Sequence, residues 1–372
     1  MKSRYLSHLE SRIAREKGRP KEYELTLEKV SCLARLGKLQ DAKHLLSEIR
    51  LRVLENPSLR ASVLFHIADG LCEYYTNLAP SARDRFARAL ALASAADQVD
   101  LVTRAASWQA LVQYGSHEFQ AMITSLDQCF LNFAVANAET MSRSCLLVAQ
   151  ALHIANRFDL ALPWYRRARH YCAEVEDDIT LSALMHNMAS IWASNVRNAS
   201  LGGLATRDSS RQAMAGVLAS MNFDELIGTA AMEILTPLLR AQIESIQGNC
   251  NAAVELYGTQ LEKLEMEAMK GWRAWLRADF GWNLLRTGNY QQAILMIESA
   301  ETILAEDMHP DDHAATLSRL ASVYLELGDP ARASRLREDS RRKWSEFADL
   351  QAYIHGTLQG SRSITSMAQW QP

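Results

Sequence analysis

The chain has 372 residues, of which only 16 are glycine and 8 are proline, so residues that break helices are rare. This composition favours an all-helical protein. The formal net charge of −3 includes no concentrated basic excess, which argues against nucleic acid or an anionic membrane surface as a partner.

Cysteines and apolar segments indicate the cellular setting. The six cysteines are scattered and form no Cys-x-x-Cys pair, which favours buried, reduced thiols over a disulfide framework or a zinc site. No stretch approaches the roughly 18 uncharged apolar residues of a membrane-spanning helix, and the N-terminus lacks a signal-peptide pattern. We therefore expect a cytoplasmic protein that does not bind a membrane.

Residues 1–20 predict one helix followed by a break. Leu6, Leu9 and Ile13 fall on one helical face, and Gly18-Arg19-Pro20 ends the pattern. Counting back by the 40-residue period described next places this segment where an unpaired second helix would stand. We interpret it as an N-terminal capping helix.

From residue 21 to about residue 350 the chain repeats a helix, a short break and a second helix. The second helices share a small residue that recurs at steps of 40, 39, 40, 92, 40 and 40 residues: Ala42, Ala82, Ala121, Ala161, Ala253, Ala293 and Ala333. The long step is two periods plus the twelve residues 198–209, "NASLGGLATRDS", which predict an inserted loop. When these twelve residues are left out of the count, Ala213 falls one period before Ala253 and takes the missing anchor position.

The breaks and the anchors have physical reasons. Five breaks contain glycine, which tolerates the left-handed conformation that ends many helices: Gly37, Gly115, Gly248, Gly288 and Gly328. An alanine where two helices cross lets their backbones approach closely, whereas a larger side chain would push the pair apart. The recurrent breaks argue against a continuous coiled coil.

The stretches "ADFGWNLLRTGNYQQAILMIESA" and "ASVYLELGDPARASRL" resemble tetratricopeptide repeats. The resemblance consists of a small and a large residue in the first helix, a glycine turn, and alanine in the second helix. The period of 40 residues exceeds the usual 34 of that family, which implies longer helices. The resemblance implies an all-α, right-handed α-solenoid of about eight TPR-like helix pairs over residues 21–350, led by the capping helix. We expect residues 351–372 to form a C-terminal extension that is partly disordered.

By analogy with this family, side chains of the first helices would line a concave groove and hold an extended peptide or a partner helix. Transferring the groove positions one by one gives ten candidates for partner binding: Arg104, Trp108, Arg143, Gln150, His153, His186, Asn187, Ser190, Trp282 and Arg286. Arginine suits carboxylates, asparagine and glutamine suit peptide groups, and tryptophan suits apolar anchors.

No catalytic or metal-binding arrangement emerges from the spacing. The stretch "HPDDH" at 309–313 has two histidines four residues apart, but Pro310 suits the first turn of a helix and the aspartates suit its positive end. The acidic run at 174–178 is interpreted as a solvated turn. We therefore expect no cofactor, no metal and no enzymatic activity.

The favoured function is a non-enzymatic scaffold or sensor that binds a protein or peptide in bacterial signalling, either as a separate adaptor or as the sensor region of a larger protein. One alternative is a peptide-regulated phosphatase of response regulators. Such proteins carry an N-terminal three-helix bundle, whereas the repeat register here leaves room for one helix. The other alternative is a self-associating solenoid, for example a homodimer.

Overall fold

The computed structural model of the protein describes residues 3–55, 57–77, 81–203, 206–231, 233, 235–261, 263, 271–304 and 308–369. These residues form eighteen α-helices and no strand. The helices are α1 (Arg4–Arg15), α2 (Pro20–Arg35), α3 (Leu39–Glu55), α4 (Leu59–Asn77), α5 (Ala82–Ala95), α6 (Val99–Gly115), α7 (Phe119–Leu131), α8 (Ala138–Ile154), α9 (Phe158–Glu174), α10 (Asp178–Leu201), α11 (Arg207–Ile227), α12 (Leu235–Ile246), α13 (Cys250–Leu261), α14 (Arg273–Arg286), α15 (Tyr290–Thr302), α16 (Pro310–Glu326), α17 (Pro330–Gly360) and α18 (Arg362–Gln369).

Successive helices pack as pairs, which confirms the predicted fold class, an all-α solenoid of helix pairs. Helices α2 and α3, α4 and α5, α6 and α7, α8 and α9, α12 and α13, and α14 and α15 contact each other. Ala189 and Ala193 of α10 share a core with Ala213 of α11, and Leu320 of α16 shares one with Leu336 of α17. The described residues therefore contain eight pairs, and α1 packs on α2.

The anchors occupy the buried side of the second helices in all repeats but one. Ala42, Ala82, Ala161, Ala213, Ala253 and Ala333 are fully buried. The exception is Ala121, which is half-buried, while the neighbouring Met122 is fully buried. The predicted anchor of this repeat was therefore wrong by one residue. With Met122 in this place, the step of 39 residues falls between the third and fourth repeats instead of between the second and third.

In the described residues, the turns between paired helices use a left-handed residue, although it is not always glycine. Gly288 has φ 82° between α14 and α15. In the third pair, Gly115 ends α6 and the left-handed position falls on His117, with φ 58°. The local need for a positive φ is thus met even by a side chain that seldom adopts it.

The insertion lengthens two helices instead of forming a twelve-residue loop. Helix α10 continues to Leu201 and α11 begins at Arg207, so only 202–206 lie between them. Residues 204 and 205 of the predicted loop lie outside the described residues. Val196 of α10 and Val217 of α11, which flank the insertion on either side, lie in one core and hold the two helices together.

The C-terminal extension differs from the disorder that we expected. Residues 351–369 are helical except for Ser361, and 370–372 lie outside the described residues. Ile354, Leu358, Ile364 and Met367 are buried, and α18 packs on α7. These side chains recur at helical spacing, so the segment buries an apolar stripe and folds.

The chain divides into two compact units, each with its own core. The first unit consists of Met1–Met185, Asn222–Met232 and Tyr353–Pro372, and the second consists of His186–Met221 and Glu233–Ala352. The first contains a core built on α1 to α6. The second contains one core around α10 and α11 and another around α14 to α16.

The structure also gives the state of the cysteines and the apolar length of the helices. Cys250 is half-buried and the other five cysteines are buried, all as free thiols. No helix in the described ranges is both long and apolar enough to cross a membrane.

Candidate partner-binding surface

Five of the ten predicted groove residues belong to the first unit, and the structure buries all of them. They are Arg104, Trp108, Arg143, Gln150 and His153. The expectation that these side chains line an open wall is not met, because residues distant in sequence pack over them. Arg104, Trp108 and Arg143 belong to an internal polar network, and His153 belongs to an aromatic cluster.

The network centres on an ion pair between α2 and the turn before α10. The Arg35 Nη2 atom lies 3.0 Å from Asp177 Oδ2, and the two side chains are 7% and 0% exposed. Asp177 also accepts a hydrogen bond from the backbone N–H of Thr180 at 2.9 Å, which caps α10. Burial opposes the charge on Asp177, but Arg35 and Thr180 together hold its pKa below the usual range.

A second pair extends the network to α6. Arg104 Nη1 donates to Glu28 Oε1 at 2.9 Å, and its Nη2 lies 4.0 Å from Glu139. The Tyr5 hydroxyl of α1 donates to the same Glu139. Burial and the nearby carboxylate of Glu139 raise the pKa of Tyr5, so this hydroxyl remains a donor.

Arg143 is the least compensated charge of the network. Its Nη1 donates to Ser107 Oγ at 2.6 Å, and its guanidinium carbon lies 3.3 Å from the centre of the Trp108 ring. Arg143 forms no ion pair with a carboxylate among the described residues. Burial first, and then the positive charges of Arg35 and Arg104, lower its pKa to about 9. The face of the Trp108 indole, and not a carboxylate, stabilises this cation.

His153 belongs to an aromatic cluster, not to a groove. Its Nδ1 lies 3.1 Å from the Tyr165 hydroxyl, and its ring centre is 4.9 Å from that of Phe158. Burial lowers its pKa to about 4, so the ring is neutral at pH 7.

The other five candidates lie in the second unit, where four of them are accessible. His186 is buried, with Nδ1 3.3 Å from Thr236 Oγ1. Its neighbours Asn187 and Ser190 on α10 are half-buried, as is Trp282, whereas Arg286 is exposed.

Trp282 lies between two arginines of adjacent first helices. The guanidinium carbons of Arg286 and Arg319 lie 5.6 Å and 5.1 Å from its ring centre. Arg286 also donates to Glu326 at 2.8 Å. A half-buried indole held between two cations can bind an apolar side chain with carboxylates beside it.

The second unit also contains a buried charge cluster that was not predicted from the sequence. Arg197 is 1% exposed and its Nε donates to Asp279 Oδ2 at 2.9 Å. Arg319 Nε donates to the other oxygen, Oδ1, at 2.8 Å. Asp279 and Arg319 are one period of 40 residues apart. Opposite charges at equivalent positions of neighbouring first helices were the signal that would have revealed this pair.

The "HPDDH" stretch joins the same cluster. Arg197 Nη1 lies 3.3 Å from Asp312 Oδ1, and His309 pairs with Asp311. Burial and the adjacent Asp311 raise the pKa of Asp312 to about 7. The two aspartates stand in the first turn of α16, as expected from the sequence.

Comparison with known proteins shows that the fold is similar to that of solved structures, among them one complex. A crystal structure of a Rap protein complexed with competence and sporulation factor matches with a TM-score of 0.52 and 12% sequence identity, over 94% of this chain and 99% of that chain. No family model matches the sequence. No curated protein is significantly similar to it. The likeness supports the TPR-like repeat fold.

Proposed function

We propose that the protein is a non-enzymatic regulator of bacterial signalling that binds a protein or peptide partner through the second unit. The observation that carries the proposal is the likeness of nearly the whole chain to a Rap protein captured with a bound factor. The binding surface consists of Asn187, Ser190, Trp282 and Arg286, the predicted groove residues that are accessible.

The chemistry of these four residues suits a peptide. The Asn187 amide can pair with a peptide group, Trp282 supplies an apolar anchor, and Arg286 supplies donors for a carboxylate. In contrast, the other six candidates are buried inside the protein. A cytoplasmic location and a partner other than nucleic acid or a membrane are part of the same proposal, and a homodimer is the competing use of the surface.

The test is affinity capture from a bacterial lysate with three forms of the protein. The parent is compared with Trp282→Ala/Arg286→Ala and with Arg166→Ala, a control that removes an exposed arginine of the first unit. Circular dichroism checks that all three are folded. We expect the parent and the control to retain the same partner and the double variant to lose it. Equal retention by all three, or no captured partner, would contradict the proposal.

A second candidate is a phosphatase of response regulators. The argument against it from the sequence was that the repeat register leaves room for one N-terminal helix and not for a three-helix bundle. The structural match nevertheless covers 99% of the Rap chain, which favours keeping this candidate. Mixing the protein with phosphorylated receiver domains and following loss of the phosphate on a mobility gel tests this candidate. Faster loss would favour it, whereas an unchanged lifetime would leave the binding function alone.

A further inference from the structure

The insertion that interrupts the repeat register forms walls of two cavities in the second unit. The first cavity has a volume of about 500 Å³, and the insertion contributes Ser200, Gly203, Thr206 and Arg207 to its lining. The second has a volume of about 540 Å³, and the insertion contributes Asn198, Leu201 and Gly202. The twelve inserted residues therefore have a structural consequence that the repeats alone do not provide.

The charged side chains among the described lining residues of both cavities are all positive. Arg207 and Arg211 line the first, and Arg337 and Arg341 line the second. Among the described residues, neither lining includes a carboxylate, although the net charge of the chain is −3. Two cavities of the first unit differ in this respect, since arginine and acidic side chains line both of them. Charge of one sign in a recess attracts ligands of the opposite sign.

The four arginines are available to a ligand. Arg207 and Arg337 form no ion pair with any described residue. Arg211 lies 3.7 Å from Asp208, and Arg341 lies 2.8 Å from Glu338. These two pairs join neighbouring turns of one helix and are largely exposed, so they hold the arginines only weakly.

The remaining lining suits a peptide better than a small inorganic anion. Trp344 Nε1 donates to Ser318 Oγ at 3.2 Å, which fixes the indole against the second cavity. Asn198 Nδ2 donates to Asp311 at 3.5 Å, while its buried Oδ1 has no partner among the described residues. A backbone N–H of a ligand would satisfy this acceptor. Each volume also exceeds what a single phosphate would fill.

We propose that these two cavities bind an acidic segment of the protein partner, with its carboxylates on Arg207 and Arg337 and a peptide N–H on Asn198. The inference rests on the proposed function and specifies the charge of the partner. Arginine is the side chain best suited to the task, because its planar guanidinium pairs with a carboxylate through two hydrogen bonds. The insertion is thus a recognition element of the repeat array.

The test uses a fluorescein-labelled octapeptide of alternating glutamate and serine, followed by fluorescence anisotropy at low ionic strength. A peptide with glutamine in place of glutamate is the uncharged comparison. The variant is Arg207→Gln/Arg337→Gln, and the matched control is Arg166→Gln/Arg335→Gln, which removes two exposed arginines outside both linings. Circular dichroism and thermal unfolding establish that every form is folded.

We expect the parent and the control to bind the glutamate peptide at least about tenfold more tightly than the glutamine peptide, and the variant to lose this preference. Equal affinity for both peptides, or an unchanged preference in the variant, would overturn the inference. Complete displacement by inorganic phosphate at a concentration equal to that of the peptide would show a small-anion site instead. Lysate capture separates the two proposals. A partner retained by both the parent and Arg207→Gln/Arg337→Gln removes only the inference, and no partner on the parent removes the proposed function.

Discussion

Buried charges of this protein pair across long stretches of sequence. Arg35 and Asp177 are separated by 142 residues, and Arg104 and Glu28 by 76. Such pairs do not add much net stability, but each partner depends strongly on the other once both are buried. Replacing one partner of a buried pair should therefore change the stability of the fold much more than replacing one partner of an exposed pair.

Replacing Arg35 by alanine should destabilise the first unit by about 3–5 kcal/mol, because it leaves the buried Asp177 carboxylate without its cation. Urea unfolding at pH 7, followed by circular dichroism, measures the change. Arg19→Ala is the matched control, since Arg19 is 69% exposed and pairs with Glu16. Its effect should stay below about 1 kcal/mol. Similar losses for both variants would show that the buried pair is not structural.

The free energy of unfolding of Asp312→Asn, relative to that of the parent, should increase as the pH rises from 5 to 8. The folded protein holds the pKa of Asp312 at about 7, above its value of about 3.9 in an unfolded chain. The protonated carboxyl therefore contributes stability that is present at low pH and lost as the pH rises through the folded pKa. The asparagine variant keeps a neutral side chain throughout.

Urea unfolding of the parent and Asp312→Asn at several pH values measures this trend. Arg197, His309, Asp311 and Asp279 face the site in both proteins. Because Asp311 and Asp312 act on each other, the difference reports the loss of Asp312 together with its effect on Asp311. A stability difference that does not change between pH 5 and 8 would show that Asp312 is ionised throughout.

At the scale of elements, the repeats place equivalent residues of neighbouring first helices next to each other. Three ion pairs join residues one period of 40 apart: Arg60 with Asp100, Asp279 with Arg319, and Arg286 with Glu326. The same spacing gives each second helix a close crossing with its first helix. Packing at these crossings depends on residues too small to clash.

Gly281 of α14 lies at such a crossing with α15. A β-carbon there would lie 2.8 Å from Ile297 side-chain carbons and 3.2 Å from the Ala293 carbonyl oxygen. Gly281→Ala should therefore cost about 1–3 kcal/mol by overpacking, and adding Ile297→Val should restore part of the loss. Thermal unfolding measures both variants.

Gly356 provides the control for Gly281, because it is also helical but a β-carbon there meets nothing within 4 Å. Gly356→Ala should stabilise α17 by up to about 1 kcal/mol, the helix propensity gained by removing an interior glycine. Opposite signs for the two substitutions are the expected result. Stabilisation by both substitutions would mean that backbone propensity, not the helix crossing, decides the effect at Gly281.

At the scale of the whole molecule, the two units have separate cores, and each repeat contacts mainly its neighbours. Stability in such arrays is close to a sum of local terms. Leu27 of the first unit and Leu320 of the second are both fully buried. Variants at these positions can therefore report on the two units separately.

Leu27→Ala and Leu320→Ala should each cost about 2–5 kcal/mol within their own unit. Hydrogen–deuterium exchange, read by mass spectrometry, should show faster exchange in α2 and α4 for the first variant and in α14 and α16 for the second. Uniformly faster exchange across the chain in both variants would instead show one cooperative unit.

Much of the architecture could be predicted because its causes are local. Apolar residues at helical spacing specify each helix, and a small residue such as Ala293 marks most of the crossings, so the 40-residue period and the pairing could be read from the sequence. The helical end of the chain was missed, although Ile364 and Met367 show the same spacing, because polar residues surround them.

The exposure of the candidate site depended on the folded structure. The residue types at positions 104 and 143 suggested an open, polar wall, yet Glu28 pairs with Arg104, and Trp108 covers Arg143. Whether a first-helix side chain meets solvent or another helix depends on how neighbouring repeats rotate against each other. That rotation results from packing summed over many side chains distant in sequence. Periodicity therefore establishes which residues face inward, and only the packed repeats establish which of those remain accessible to a partner.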